Sequence, residues 1–227
     1  MKTTFVYFLS LILFYNCNEQ HKSTDTNVAA EAESSIAKRI ADAHGYENWN
    51  AVTKVYFTFN VDTENNHFER QWQWEPKTQQ VTLITAQDTL TYNRKNIDST
   101  TMNADRAFIN DKFWCFVPFQ LVWDEKASVS EVVKTQAPIS QKDLNKVTLS
   151  YENDKGGYTP GDAYDLYFDE NYRIKEWVYR KSNAETPSLT NTFEDYQTFN
   201  GITIATSHKR PNANWNLNFT DIKIIRK

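Results

Sequence analysis

A chain of 227 residues with a formal net charge of −4 and 40% hydrophobic residues holds one globular domain, or two small ones at most. The mild acidity excludes a basic footprint for nucleic acid and a polybasic membrane patch. Aromatic content stands out, with 7 Trp, 12 Tyr and 14 Phe against 5 Gly and 6 Pro. Each ring buries about 150–250 Å², so these residues fill a very aromatic core or line an aromatic cavity.

Lys2 and the amino terminus supply positive charge, and Phe5 to Tyr15 follow as a run that is apolar apart from Ser10. As a helix those 11 residues would rise about 16 Å, well short of the roughly 30 Å hydrocarbon core. The run therefore reads as a secretory signal peptide and not as a spanning helix. It ends at Phe14-Tyr15-Asn16-Cys17. A cysteine at that place resembles the lipobox of bacterial lipoproteins, which implies cleavage before Cys17, lipid attachment to its thiol and a membrane partner reached through N-terminal acyl groups. Two or more acyl chains anchor stably where one does not. The alternative is an ordinary signal peptide followed by an incidental cysteine. The only other cysteine, Cys115, sits in the apolar stretch "FWCFV" and is expected to be free and buried.

These features divide the chain into a signal peptide over 1–16, a lipidated flexible tether over 17–34 and a folded domain over 35–227. The tether is polar and has little to bury. The expected location is the cell envelope, lipid-anchored, with Asn18 after the cysteine compatible with transfer to the outer membrane, facing the periplasm or the cell surface.

In "SSIAKRIADAHG", Ile36, Ile40 and Ala43 form an apolar stripe, a serine can cap the start and Gly45 suits the stop, which predicts one short helix. The period then changes to two. "VYFTFNVD", "FERQWQWE", "VTLIT", "KVTLSYE", "AYDLYF", "RIKEWVYR", "FNGITIAT" and "WNLNFTDIKII" all alternate as strands. "DENY" and Asn200-Gly201 mark hairpins. In "RIKEWVYR", alternation puts Ile174 and Val178 on one face and Trp177 and Tyr179 on the other. Residues 104 to 137 are the exception. "FWCFVPFQLVWD" is nearly all apolar, with Pro118 precluding a regular central strand, and "EKASVSEVVK" has weak helical character. Strands joined by hairpins predict an α+β, mainly β fold: a curved antiparallel sheet, an unclosed half-barrel, covered by a few short helices.

The lipobox-like start, the N-terminal helix and the antiparallel body resemble the LolA/LolB-like lipoprotein fold. More narrowly, "GGYTPGDAYDLYFDENYRIKEWVYRK" and "FEDYQTFNGITIATSHK" look like a family of uncharacterised bacterial lipoproteins with that fold. The resemblance implies an unclosed barrel lidded by helices over a hydrophobic cavity, and a lipid or acylated protein as ligand.

The candidate cavity residues are Phe57, Phe59, Trp72, Trp74, Trp114, Phe116, Trp123 and Trp177, each equally at home in a packed core. Gly156, Gly157 and Gly161 crowd "DKGGYTPGDAYD" and suit a shaped loop, with a mobile cavity rim as the functional version. No phosphate-loop, calcium-loop or zinc pattern accompanies them, so no cofactor or metal is expected. His208 would act as a base with Glu194 or Asp195 if the Asn200-Gly201 hairpin brought them together, although such cross-strand polar pairs are commonly structural. The leading expectation is a monomeric, non-enzymatic binder of a lipid, acyl chain or lipoprotein anchor. A surface-displayed glycan- or protein-binding module and a hydrolase using His208 are the alternatives.

Overall fold

The computed structural model describes residues 34–154 and 158–227. Helix α1 spans Ile36–Ala43, with the Ser35 side chain accepting a hydrogen bond from the Lys38 N–H at 3.3 Å, which satisfies one of the donors a helix start leaves free. Gly45, at φ 87°, ends it in the left-handed conformation that glycine adopts without strain. A side chain at that position would run into the Gly201 carbonyl, so the helix end sits directly on a hairpin turn. A 3-10 segment, Tyr46–Ala51, leads into the first strand.

Thirteen strands follow among the described residues. In chain order they are β1 (Val52–Thr63), β2 (His67–Glu75), β3 (Gln80–Ile84), β4 (Thr89–Asn93), β5 (Ala127–Val129), β6 (Val133–Gln136), β7 (Asp143–Tyr151), β8 (Ala163–Phe168), β9 (Ile174–Arg180), β10 (Leu189–Thr192), β11 (Glu194–Phe199), β12 (Ile202–Lys209) and β13 (Trp215–Arg226). The first sheet runs β11-β12-β13-β1-β2-β3-β4, and the second runs β10-β9-β8-β7-β5 with β6 also on β7. Every pairing is antiparallel. Only Phe193 separates β10 from β11, and cross-bonds such as Lys209 N–H to Thr192 Oγ1 (3.0 Å) tie the two sheets together there. At the other end β4 and β5 are not paired with each other, so the sheets form an unclosed barrel. The fold is α+β and mainly β.

The Asn200-Gly201 turn has φ of 52° and 83°, the type I′ geometry that matches strand twist. Strict alternation fails in β9. Leu166 pairs with Trp177, but Phe168 pairs with Ile174, with a register shift between Tyr167 and Phe168. That bulge moves Ile174 to the face of Trp177. Ile174 packs in the main core with Trp177 and Phe168, while Val178 packs on the far side with Ala137 and Tyr167. One extra residue reverses which side chains share a face.

The segment between the two open edges is α2, Met102–Trp123, with Pro118 inside it and Phe116 non-helical at φ −125°. Proline removes a backbone donor and clashes with the preceding turn, and the kink falls beside it. Residues 114 to 121 are all buried, as expected of a helix enclosed on every side. No helix among the described residues is long and apolar enough to cross a membrane. The expected helical character of "EKASVSEVVK" gives way to β5 and β6. Ser128, Ser130 and the β-branched valines gain little from a helix but extend readily beside β7.

Candidate functional site

Helix α2 lies in the hollow of the half-barrel and meets the two sheets differently. Towards the first sheet, Phe108 is fully buried, with ring centroids 5.4 Å from Trp72 and 5.5 Å from Trp74. Asp111 accepts from Arg70 Nε (2.9 Å) and Nη2 (2.7 Å) and from the Trp72 indole (2.7 Å). Burial raises the Asp111 carboxyl above its ordinary range, against the pull of Arg70, Asn110 and Trp72. Nearly two turns earlier, Asp105 accepts from Arg94 Nε at 2.7 Å and from the Tyr92 hydroxyl at 3.3 Å.

Towards the second sheet the packing leaves room. Phe113 lies 4.6 Å from Tyr164 and 5.9 Å from Trp177, and Trp114 lies 4.1 Å from Trp177, all between ring centroids. Beside these rings is a cavity of about 490 Å³, walled also by Ile109, Leu189 and Tyr179 and edged by Arg106, Asn110, Tyr158 and Thr159. That volume is in the range of small-molecule sites, and an apolar wall with a few polar groups is their usual make-up. Tyr158 donates to Asp105 Oδ2 at 3.1 Å, and the Arg106 guanidinium stacks over its ring at 5.3 Å. On the other side of Tyr158 a second cavity of about 480 Å³ shares Ile109, Phe113, Tyr158 and Thr159 with the first, and adds Arg94, Lys112, Gln120, Trp123 and Asp124.

Lys112 is the unusual group of that second space. It is buried, its Nζ donates to Gln120 Oε1 at 3.3 Å, and it stands over the faces of Trp123 (5.2 Å) and Trp74 (5.8 Å). Burial lowers its pKa to about 8, with the Arg94 charge acting in the same direction and the charges of Asp124 and Asp105 opposing.

Of the eight aromatic candidates, Trp114 and Trp177 lie on the first cavity and Trp123 on its neighbour. Trp74 packs on Phe108 and borders a smaller hollow with Trp49 and Trp123. Trp72 is buried against Phe108 and Asp111 of α2, Phe57 and Phe59 pack on Phe219, and Phe116 packs on Phe119. Phe57 and Trp72 also border a separate hollow of about 200 Å³. Gly161 is at φ 76° with its open side against the Asn153 side chain. Gly156, Gly157 and Cys17 lie outside the described residues. The sequence reading did not single out Phe113, Tyr164, Ile109, Tyr158 or Lys112. One signal was there for Lys112, an amine just before an apolar run in "NDKFWCFVPFQLVW".

His208 is fully buried, with centroids 4.4 Å from Phe193, 5.4 Å from Trp114 and 5.8 Å from Phe219. Its Nδ1 faces the Thr192 carbonyl at 3.2 Å, and burial lowers its pKa to about 3. Glu194 pairs in the ladder with Ser207 and accepts from Lys209 at 2.7 Å. The Asp195 carbonyl accepts from Thr206. The hairpin forms, but the Glu194 carboxylate is engaged by Lys209 and the imidazole faces the core. Cys115 is free and buried, and burial pushes its thiol well up.

The structure is a half-barrel enclosing a helix beside a ligand-sized, aromatic-walled cavity. It is similar to a LolA superfamily protein from Nitrosomonas europaea, at 11% identity and a TM-score of 0.49 over 86% of this chain and 96% of that one. It is also similar to a DUF1329 family protein from Desulfovibrio piger, at 9% identity and a TM-score of 0.46 over 84% and 94% of the two chains. A third such structure, described as an outer membrane lipoprotein-sorting protein domain from Vibrio parahaemolyticus, has 11% identity and a TM-score of 0.43 over 83% and 93%. No protein-family model matches the sequence, and no curated protein matches it.

Proposed function

We propose that this chain is a lipid-anchored protein of the cell envelope, tethered through Cys17, that binds the apolar part of a lipid or acylated molecule between α2 and strands β8 and β9. The observation that carries this reading is the cavity of about 490 Å³ walled by Phe113, Trp114, Tyr164 and Trp177. An enclosed acyl chain gains about 0.8 kcal/mol per CH₂ removed from water, so such a space binds by burial and needs no catalytic group. A glycan binder needs rings displayed on the surface. Among the described residues the large exposed aromatics are Phe68 (48%) and Tyr158 (37%), and they form no row. The surroundings of His208 lend a hydrolase no support.

The test is native mass spectrometry of the purified protein, followed by organic extraction of whatever is bound. A lipid at about one per chain is the expected result. A bare mass that stays unchanged after incubation with phospholipid and with an acylated peptide sinks the reading.

A further inference from the structure

The space around Lys112 is built differently from the apolar cavity it adjoins. An ammonium carries three donors and no acceptor, and this one, buried under two indole faces, has Gln120 Oε1 as its hydrogen-bond acceptor. No carboxylate lies within ion-pair distance of it among the described residues. The nearby Arg94 is committed to Asp105 and Gln79. Asp124 accepts from the Gln120 amide at 3.2 Å and so orients the carbonyl that Lys112 meets. Buried charges are ordinarily paired, because an unpaired one forfeits its hydration without compensation. Here the missing partner has a place to sit, since Lys112, Arg94, Gln120 and Tyr151 all line the second cavity.

We infer that Lys112 receives the oxyanion head group of an amphiphilic ligand, a carboxylate or a phosphate, whose apolar part lies across Ile109 and Phe113 in the neighbouring cavity. The inference rests on the hydrophobic-ligand reading and specifies its chemistry. The two cavities share the walls Ile109, Phe113, Tyr158 and Thr159, so head and tail occupy adjoining spaces on one flank of α2. Charges on the head-group walls are Arg94, Lys112 and Lys126 against Asp124 and Glu125, and Lys126 and Glu125 are exposed. An anion in that space gives Lys112 the acceptors it lacks through charge-assisted hydrogen bonds. A neutral head group with a single hydroxyl supplies less.

The test compares palmitate, palmityl phosphate and palmityl alcohol, which share a tail and differ in the head, for binding to the full delipidated chain and to Lys112→Met. Methionine keeps the volume and removes the charge, a change that cores tolerate, and circular dichroism verifies the fold. The wild-type chain is expected to prefer one or both anions over the alcohol by about tenfold, and Lys112→Met to lose that preference while its affinity for the alcohol stays within about twofold. A preference for palmitate alone identifies a carboxylate site, and one for palmityl phosphate alone a phosphate site. Equal binding of all three by the wild-type chain overturns the inference and leaves the hydrophobic-ligand reading intact. An anion preference that survives in Lys112→Met also overturns it, and assigns the head group to Arg106 at the other cavity's edge. If none of the three binds, the hydrophobic-ligand reading itself falls.

Discussion

Phe108 and Phe113 lie little more than one turn apart on the same helix, and their surroundings contrast. Phe108 is sealed between Trp72 and Trp74, in a flank where Arg70 and Arg94 reach across from the first sheet to Asp111 and Asp105. Phe113 leans on Tyr164 and Trp177 with a cavity at its edge. The acids of α2 with buried partners turn to the first sheet, and Asp105 reaches the other flank through the Tyr158 hydroxyl. One sheet therefore holds the helix in place by filled packing and paired charge. Against the second sheet the same helix is left to form a wall. A small hollow protein needs this division, because a cavity persists only where the elements around it are fixed by contacts elsewhere.

The largest expected effect breaks the contrast directly. Phe108→Ala should cost about 3–5 kcal/mol, since a sealed ring leaves a void that close-packed neighbours cannot fill. Phe113→Ala should cost about 1–2 kcal/mol, because its ring already borders open space and less apolar contact is lost. Urea unfolding of the two variants measures the difference. Equal losses would mean that the cavity flank is packed as tightly as the other.

Protons sharpen the comparison next. His44 has its pKa lowered to about 4, chiefly by burial and also by the charges of Arg173 and Lys175, with Asp169 opposing. His208 is lowered to about 3 by burial, with Glu194 opposing. Both folded values lie below the ordinary 6.5, so the unfolded chain takes up protons first as pH falls. The stability these rings contribute is complete above that pH and is lost as pH falls towards 4 and 3. Each ring accounts for about 1.4 kcal/mol per pH unit in that window, or roughly 2 kcal/mol by pH 5. Denaturation midpoints measured from pH 8 to pH 5 should fall steeply for the wild-type chain and about half as steeply for His208→Phe. A flat profile would show that the rings are reached by water. The cavity flank titrates at the other end of the scale, since Lys112 changes charge near pH 8. Acid thus acts through the two buried imidazoles, while mild alkali acts on the space around Lys112.

Much of the wall was legible in the sequence, and its filling was not. Alternation is a property of adjacent residues, so "VYFTFNVD" and "FERQWQWE" announce β1 and β2 without any tertiary knowledge. Asn200-Gly201 announces its turn because few other pairs tolerate two positive φ values. Helix α2 leaves no such mark. Enclosed on every side, "FWCFVPFQLVW" has no polar face to give it a period, and its proline argues against any regular element. The bulge that moves Ile174 to the face of Trp177 depends on how β8 meets β9, which local alternation does not encode. For the same reason Trp114 and Trp177 could be named as cavity candidates, but nothing in their spacing separated them from Phe59 or Phe116.

The smallest expected effect concerns a side chain that touches both flanks. Tyr158 walls both cavities and donates to Asp105 on the packed side. Tyr158→Phe keeps the ring under Arg106 and removes only the hydroxyl. Asp105 retains Arg94 and Tyr92 as donors, and the lost bond is partly exposed, so the cost should be about 0.5–1 kcal/mol. Palmitate affinity should be unchanged, because an apolar tail meets the ring and not the oxygen. Parallel urea and binding titrations on this variant tell a strut from a ligand contact. A small stability loss with constant affinity makes the hydroxyl a strut that ties the cavity wall to the packed flank. A tenfold loss of affinity would instead place the hydroxyl among the groups that hold the ligand, and the boundary between the filled and hollow flanks would then run through Asp105.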